Sequence, residues 1–365
     1  AAATALTLTG GNTLSSFTTT TTPLLASVKT FDASAFGGDL ALAIANDNFD
    51  DTVTITGGSS TKDSVSNTIV TSTTDKPKTT GIETLKITAT DSANTAKTAV
   101  LDLSNTTGVK TIEATVGDAE TLTIDKATDQ AVTVLELDTV TSTIEYKLAT
   151  STGSSDAVTF TLKAGADADI LDDSLIKTTD IATVTINNST RAERISLANL
   201  SMATAGATMK LVATGTKALT VSALNADVTT IDASGMGEGG SFVQTGRSST
   251  AVATYTGSDG NDTFQMKHGD DVIDAGAGTA DKLVVTKNLI LGGIAVDLSK
   301  TDDQVTTFNG NANTAATKGF ENVDLSGITG SFGAEVTAIK GGSTITGTSN
   351  VDVFTGGAGD DHFVY

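Results

Sequence analysis

The chain has 365 residues, 43 acidic against 22 basic side chains, and a net charge of −21. A surface of that sign repels phosphate backbones and anionic headgroups, so nucleic acid and membrane insertion are not expected, whereas cations are welcome. Cysteine and tryptophan are absent and only 4% of residues are aromatic, which excludes disulfides, thiolate metal sites and thiol catalysis and argues against an aromatic-lined pocket.

No run of about 18 apolar residues marks a membrane-spanning helix. The chain opens at Ala1 without a signal-like stretch and stops at Tyr365 directly after a complete repeat, as expected of a mature or truncated chain. Residues 1–80 read as a β module built on Val28-Lys29-Thr30-Phe31-Asp32-Ala33-Ser34 and closed by a turn at Gly57-Gly58-Ser59-Ser60-Thr61-Lys62-Asp63. Residues 81–225 read as a β-solenoid-like region. Apolar and polar residues alternate there at Leu85-Lys86-Ile87-Thr88, Thr121-Leu122-Thr123-Ile124, Val132-Thr133-Val134, Val184-Thr185-Ile186 and Leu219-Thr220-Val221, the period of half-buried strands. A turn residue followed by a short strand recurs at Gly81-Ile82-Glu83-Thr84-Leu85, Gly108-Val109-Lys110-Thr111-Ile112, Asp180-Ile181-Ala182-Thr183-Val184 and Gly319-Phe320-Glu321-Asn322-Val323. Such units read as rungs that bury their faces on one another. Only two stretches, 168–177 and 192–203, carry helix-like spacing, and both are candidate helices.

Residues 226–365 begin with a second copy of the first module, Val228-Thr229-Thr230-Ile231-Asp232-Ala233-Ser234. Gly57 follows Val28, and Gly257 follows Val228, at the same spacing of 29 residues. A third copy runs from Phe320 through Asp324-Leu325-Ser326 to Gly347. The fold expected is therefore all-β: solenoid or parallel β-roll modules with additional short-stranded sheets.

The sharpest signal lies in the glycine–aspartate turns. Gly257-Ser258-Asp259-Gly260-Asn261-Asp262-Thr263-Phe264-Gln265 fits the nonapeptide G-G-x-G-x-D-x-U-x with Ser in the second place. The next nine residues keep Gly269, Asp270, Asp271 and Ile273, and the following block supplies Gly276, Gly278 and, one residue late, Asp281. Gly347, Asn350 and Asp352 form a weaker copy, and Gly356-Gly357-Ala358-Gly359-Asp360-Asp361 a full one. Glycines let the backbone turn its carbonyls inward. Carbonyls and carboxylates are the hard oxygen donors that calcium takes six to eight at a time, at about 2.3–2.6 Å. One turn cannot enclose an ion, so tandem copies carry the argument. The candidate metal ligands are Gly257, Asp259, Gly260, Asp262, Gly269, Asp270, Asp271, Gly276, Gly278, Asp281, Gly347, Asn350, Asp352, Gly357, Gly359 and Asp361, for several calcium ions. The 57–63 turn is a degenerate relative, with Lys62 inside it and Asp63 displaced by one.

These repeats resemble the RTX family of Gram-negative secreted proteins over roughly 257–285 and 347–365. The pairing of Asp-Ala-Ser rungs with such turns, in an acidic cysteine-free chain, is similar to surface-layer proteins of the Caulobacter type. The resemblance implies type I secretion, folding on external calcium and display on the cell surface. The family's C-terminal export signal follows such a repeat block; here it is expected to lie beyond Tyr365, or the resemblance is incomplete at this end.

Such repeats also form the tails of enzymes, so catalysis has to be tested. No H-E-x-x-H, G-x-S-x-G, phosphate loop or dinucleotide fingerprint occurs. His268 and His362 both sit inside repeats, as exposed turn residues. The pairs Asp50-Asp51 and Asp172-Asp173 read as solvated turns or extra calcium ligands, Asp302-Asp303 as a solvated turn, and Arg191 and Arg194 as local salt-bridge formers. The expected function is thus a non-catalytic subunit of a calcium-dependent surface layer. Its main partner is further copies of itself, and a cell-surface polysaccharide is the other, through a region outside this sequence. An adhesin or biofilm-matrix protein, and the non-catalytic part of a larger secreted enzyme, are the alternatives.

Overall fold

The computed structural model describes residues 4–10, 16–24, 27–45, 49–70, 73–90, 97–117, 120–137, 142–153, 155–163, 174–248 and 251–365. The chain divides into two compact units, Ala1–Ile181 and Ala182–Tyr365. Each is a parallel β-solenoid. The one helical element among the described residues is a 3₁₀ turn at Leu103–Asn105, capped by the Asp102 carboxylate.

In the first unit, Ser16–Leu24, Asp39–Ile44, Ser64–Val70, Thr84–Thr90, Thr111–Val116, Ala131–Leu137 and Ala157–Leu162 line up in that order as one parallel sheet. A second sheet joins Thr74–Asp75, Thr98–Asp102, Thr121–Ala127, Thr143–Leu148 and Ser174–Thr179, and a third joins Ala5–Gly10, Thr30–Phe36, Thr54–Thr56, Lys78–Thr80 and Thr106–Thr107. The repeat in sequence is what makes the pairing parallel. Each rung places the same residue type at the same register, so Leu85, Ile112, Val132 and Phe160 stack as one buried column.

The second unit repeats the design. Thr183–Asn188, Met209–Gly215, Val228–Met236, Thr254–Thr256, Val272–Asp274 and Thr317–Lys318 make one parallel sheet. Glu193–Ser201, Leu219–Leu224, Phe242–Gln244, Thr263–Met266, Lys282–Val285, Asn322–Asp324, Thr344–Thr346 and His362–Val364 make another. A further sheet holds Ile294–Asp297 parallel to Ala334–Thr337, which pairs with Val353–Thr355. It also contains antiparallel pairings, of Ile294–Asp297 with Val305–Phe308 and of that strand with Asn311–Ala312. This hairpin is an excursion inserted between two consecutive rungs.

Val184, Leu211, Ile231, Tyr255 and Ile273 occupy one register position and form a core column. Burying each such side chain contributes roughly 1.5–3 kcal/mol. Ile231→Ala leaves a void with close neighbours above and below, and is expected to destabilise the second unit by about 2–5 kcal/mol. Val252→Ala, at a position 45% exposed, is expected to leave the urea midpoint nearly unchanged. Equal midpoints for the two variants would rule out the stacked column.

The expected helix at 192–203 is a strand instead, Glu193–Ser201. Within it Ile195, Ser196 and Leu197 are consecutively buried and Leu200 follows three residues on, which interrupts the period of two and produces the helix-like spacing. The register slip of its pairing falls on the partner strand, where Ser222 is the extra residue. Most of the other candidate, 168–177, lies outside the described residues, and its described end belongs to the strand Ser174–Thr179.

Candidate functional site

The sixth residue of each repeat, an aspartate, immediately precedes a strand. In the 257–262 turn, Asp262 is fully buried. Its Oδ2 accepts the amide of Ser258 at 2.5 Å, and its Oδ1 accepts the amide of Phe242, on the preceding rung, at 2.5 Å. Ser258, the departure from the glycine consensus, has a task of its own. Its hydroxyl lies 3.0 Å from each Asp262 oxygen and accepts the Gly260 amide at 3.0 Å. Thr348 does the same for Asp352 and Asn350.

The pattern holds in the other turns. Asp271 accepts Lys267 N and His268 N within its turn and Ala253 N from the rung before. Asp352 takes Thr348 N and Ala334 N, and Asp361 takes Gly357 N and Ser343 N. In the first unit Asp63 takes Gly58 N and Leu40 N, despite its displaced position. The turn aspartate is thus an inter-rung cap: one oxygen closes its own turn and the other satisfies a backbone N–H that the neighbouring rung leaves open.

The structure brings some of the predicted ligands together and separates others. Asp262 and Asp281 adjoin on one sheet edge, where Asp262 N donates to Asp281 Oδ1 at 2.7 Å. Asp281 N in turn donates to Glu321 Oε2 at 2.8 Å. Asp63 N and Glu83 repeat this step in the first unit, at 3.1 Å. Glu83 and Glu321, each following a left-handed glycine and an apolar residue, extend the carboxylate column, although in sequence they read only as rung residues. Their signal was the shared Gly-apolar-Glu. Asp271 stands before a strand of the opposite sheet, and Asp352 before one of the hairpin sheet. Asp259 and Asp270 are exposed, with Asp270 paired to His268 at 3.5 Å. Asn350 Nδ2 reaches the carbonyls of Gly330 and Phe332.

The glycines are where two rungs touch. A methyl group on Gly257 would stand 1.9 Å from Ala275 O, one on Gly260 1.8 Å from Gly240 O, and one on Gly276 2.0 Å from Ser258 O. Gly278 lies against the Asp281 carboxylate and Gly260 O. Gly269 abuts the Phe308 ring, Gly347 abuts Asp352, Gly357 the carbonyl of Ile339, and Gly359 the backbone of Gly341.

Whether calcium fits depends on spare oxygen. Among the described residues no three acidic or histidine side chains converge as a metal-holding group, so backbone carbonyls would have to supply much of any ligand set. Asp262, Asp271, Asp352 and Asp361 already use both oxygens on N–H donors. Asp281 differs: it is fully buried, and its Oδ2 has no hydrogen-bond partner. Burial, and then the neighbouring Asp262, Glu321 and Asp274, push its carboxyl up to about 7. A buried carboxylate oxygen without a donor, beside carbonyl-lined glycines, fits a hard cation. Asp281 with the Gly276–Gly278 turn is the place where the residues suit calcium best.

The remaining acidic and basic pairs are local. Asp50 accepts Thr52 N and Oγ1, Asp302 and Asp303 are exposed, and Asp172-Asp173 lies outside the described residues. Arg191 Nε lies 2.7 Å from Glu193 Oε1. No protein-family model, curated protein or solved structure matches this chain significantly.

Proposed function

We propose that this protein is a non-catalytic structural subunit of a calcium-dependent, self-assembling bacterial surface layer, secreted and displayed outside the cell. The observation that carries the reading is the stack of glycine–aspartate turns closing successive parallel rungs, with the buried, donorless oxygen of Asp281 among them. A solenoid of short threonine- and valine-rich rungs presents a regular side wall, which suits repeated lateral contacts between copies. The acidic balance, 43 against 22, suits assembly through divalent ions.

The size of the calcium effect follows from mass action. A site with a Kd of about 0.1 mM at about 1 mM free calcium gains roughly 1.4 kcal/mol. Several coupled sites decide whether the turns are ordered. Negative-stain microscopy and light scattering of the purified chain are expected to show sheet-like arrays in millimolar calcium and dispersed particles in EGTA, with a parallel loss of circular-dichroism signal on warming. Particles and spectra indifferent to both additions would sink the reading. Dispersed monomers that adhere to cells or glycans in calcium would replace it with an adhesin.

A further inference from the structure

The turns of the second unit differ in their charge balance. Arg247 has a side chain with no solvent exposure, and its Nη1 lies 3.5 Å from Asp271 Oδ1. Its Nη2 donates to Ala251 O at 2.7 Å, and its guanidinium carbon sits 5.9 Å from the centre of the Tyr255 ring. A buried guanidinium is tolerated only beside an opposite charge; with Nε and Nη1 making no hydrogen bond among the described residues, the Asp271 carboxylate is the group that compensates it. Lys267 Nζ donates to the carbonyl of Arg247 itself. Two backbone carbonyls near this turn, those of Ala251 and Arg247, are therefore held by cationic side chains.

The sequence of the turn agrees. Where the 257–262 turn has Gly257 and Ser258, this one has Met266 and Lys267. Asp271 meanwhile accepts three backbone amides besides its ion pair. Asp262, Asp281, Asp352 and Asp361 form no ion pair among the described residues.

We infer that Arg247 is a resident cation that takes the place of a metal ion at the 267–271 turn, so that this turn closes without calcium. The contrast with the other turns rests on the calcium reading proposed above, whereas the Arg247–Asp271 pair does not.

The test is a double-mutant cycle in the full chain: wild type, Arg247→Met, Asp271→Asn and the double variant, each unfolded in urea with EGTA and again with millimolar calcium. Each single substitution is expected to lower the folding equilibrium constant at least tenfold. The double variant should recover at least tenfold relative to the product of the two, equally in EGTA and in calcium. Calorimetric titration should give Asp271→Asn the same number of bound calcium ions as wild type. No coupling in EGTA, coupling abolished by calcium, or the loss of a bound ion in Asp271→Asn would overturn the inference. If Arg247→Met does not fold, folding of the double variant supports the pair, and its failure counts against it. A chain that binds no calcium defeats the surface-layer reading, while the coupling in EGTA still decides this one.

Discussion

Gly257→Ala is expected to destabilise the second unit by more than about 3 kcal/mol, whereas Gly341→Ala leaves it within about 0.5 kcal/mol of wild type. Gly257 does not need its conformational freedom, because its φ is not in the left-handed region. It needs the space. An added methyl would lie 1.9 Å from Ala275 O, 2.5 Å from Ala275 C and 2.7 Å from Asp262 Oδ2. The first two atoms are backbone of the adjacent rung and cannot swing aside, so the rungs must part. Parting them pulls the Asp262 amide from Asp281 and opens the core between Phe264 and Leu283. At Gly341 nothing lies within 4 Å of the added carbon. Urea titration followed by far-ultraviolet circular dichroism reads both variants. Gly57 provides an internal check in the first unit, with Gly81 O at 1.9 Å and Asp63 Oδ2 at 2.9 Å from the added methyl. A Gly257→Ala protein with a wild-type midpoint would mean that the two rungs do not approach as described.

In the presence of a chelator, the second unit is expected to be more stable at pH 5 than at pH 8, by on the order of a few kcal/mol. Burial and the neighbouring carboxylates raise Asp281 from 3.8 to about 7 in the folded state. Between those values the folded chain keeps a proton that the unfolded chain has lost, so stability falls as pH rises from about 4 to about 7 and then levels off. Calcium favours the ionised carboxylate and should flatten this slope. Burial, then Asp50, likewise raises Asp75 to about 6, which gives the first unit a slope of the same sign. The diagnostic quantity is therefore the difference between wild type and Asp281→Asn. A variant that keeps the full wild-type slope in EGTA would remove Asp281 from the account.

Much of the fold is written locally. Leu85-Lys86-Ile87 and Val184-Thr185-Ile186 declare strands because a period of two survives without interruption, and the 29-residue spacing from Val28 to Gly57 and from Val228 to Gly257 declares a repeat. Glu193–Ser201 was hidden because three consecutive residues, Ile195, Ser196 and Leu197, are buried and break the period of two. The hairpin around Val305–Phe308 was hidden because its pairing is antiparallel and follows no repeat. The glycine–aspartate turns were equally visible, yet the first duty of their aspartates was not. The amide that Asp262 caps belongs to Phe242, 20 residues earlier, and the carboxylate that caps Asp281 belongs to Glu321, 40 residues later. Such partners are defined by rung register, which no local window contains. Arg247 illustrates the same limit: four residues from Ala251 in sequence, it matters because the coil brings Asp271 beside it. The Asp-x-Ser segments of the modules are legible in sequence as repeats. In Asp232-Ala233-Ser234 and Asp324-Leu325-Ser326 the carboxylate accepts the serine amide and hydroxyl, a local device that Asp297-Leu298-Ser299 shares.

The aspartate caps all point the same way along the chain. The amide of Leu40 is met by Asp63, that of Asp63 by Glu83, that of Phe242 by Asp262, that of Asp262 by Asp281 and that of Ser343 by Asp361. In every pair the donor is earlier in sequence than the acceptor. A polypeptide that emerges N-terminus first from a ribosome therefore cannot finish a coil with the residues already delivered. Each coil stays provisional until its successor arrives, and the order of delivery becomes the order of locking.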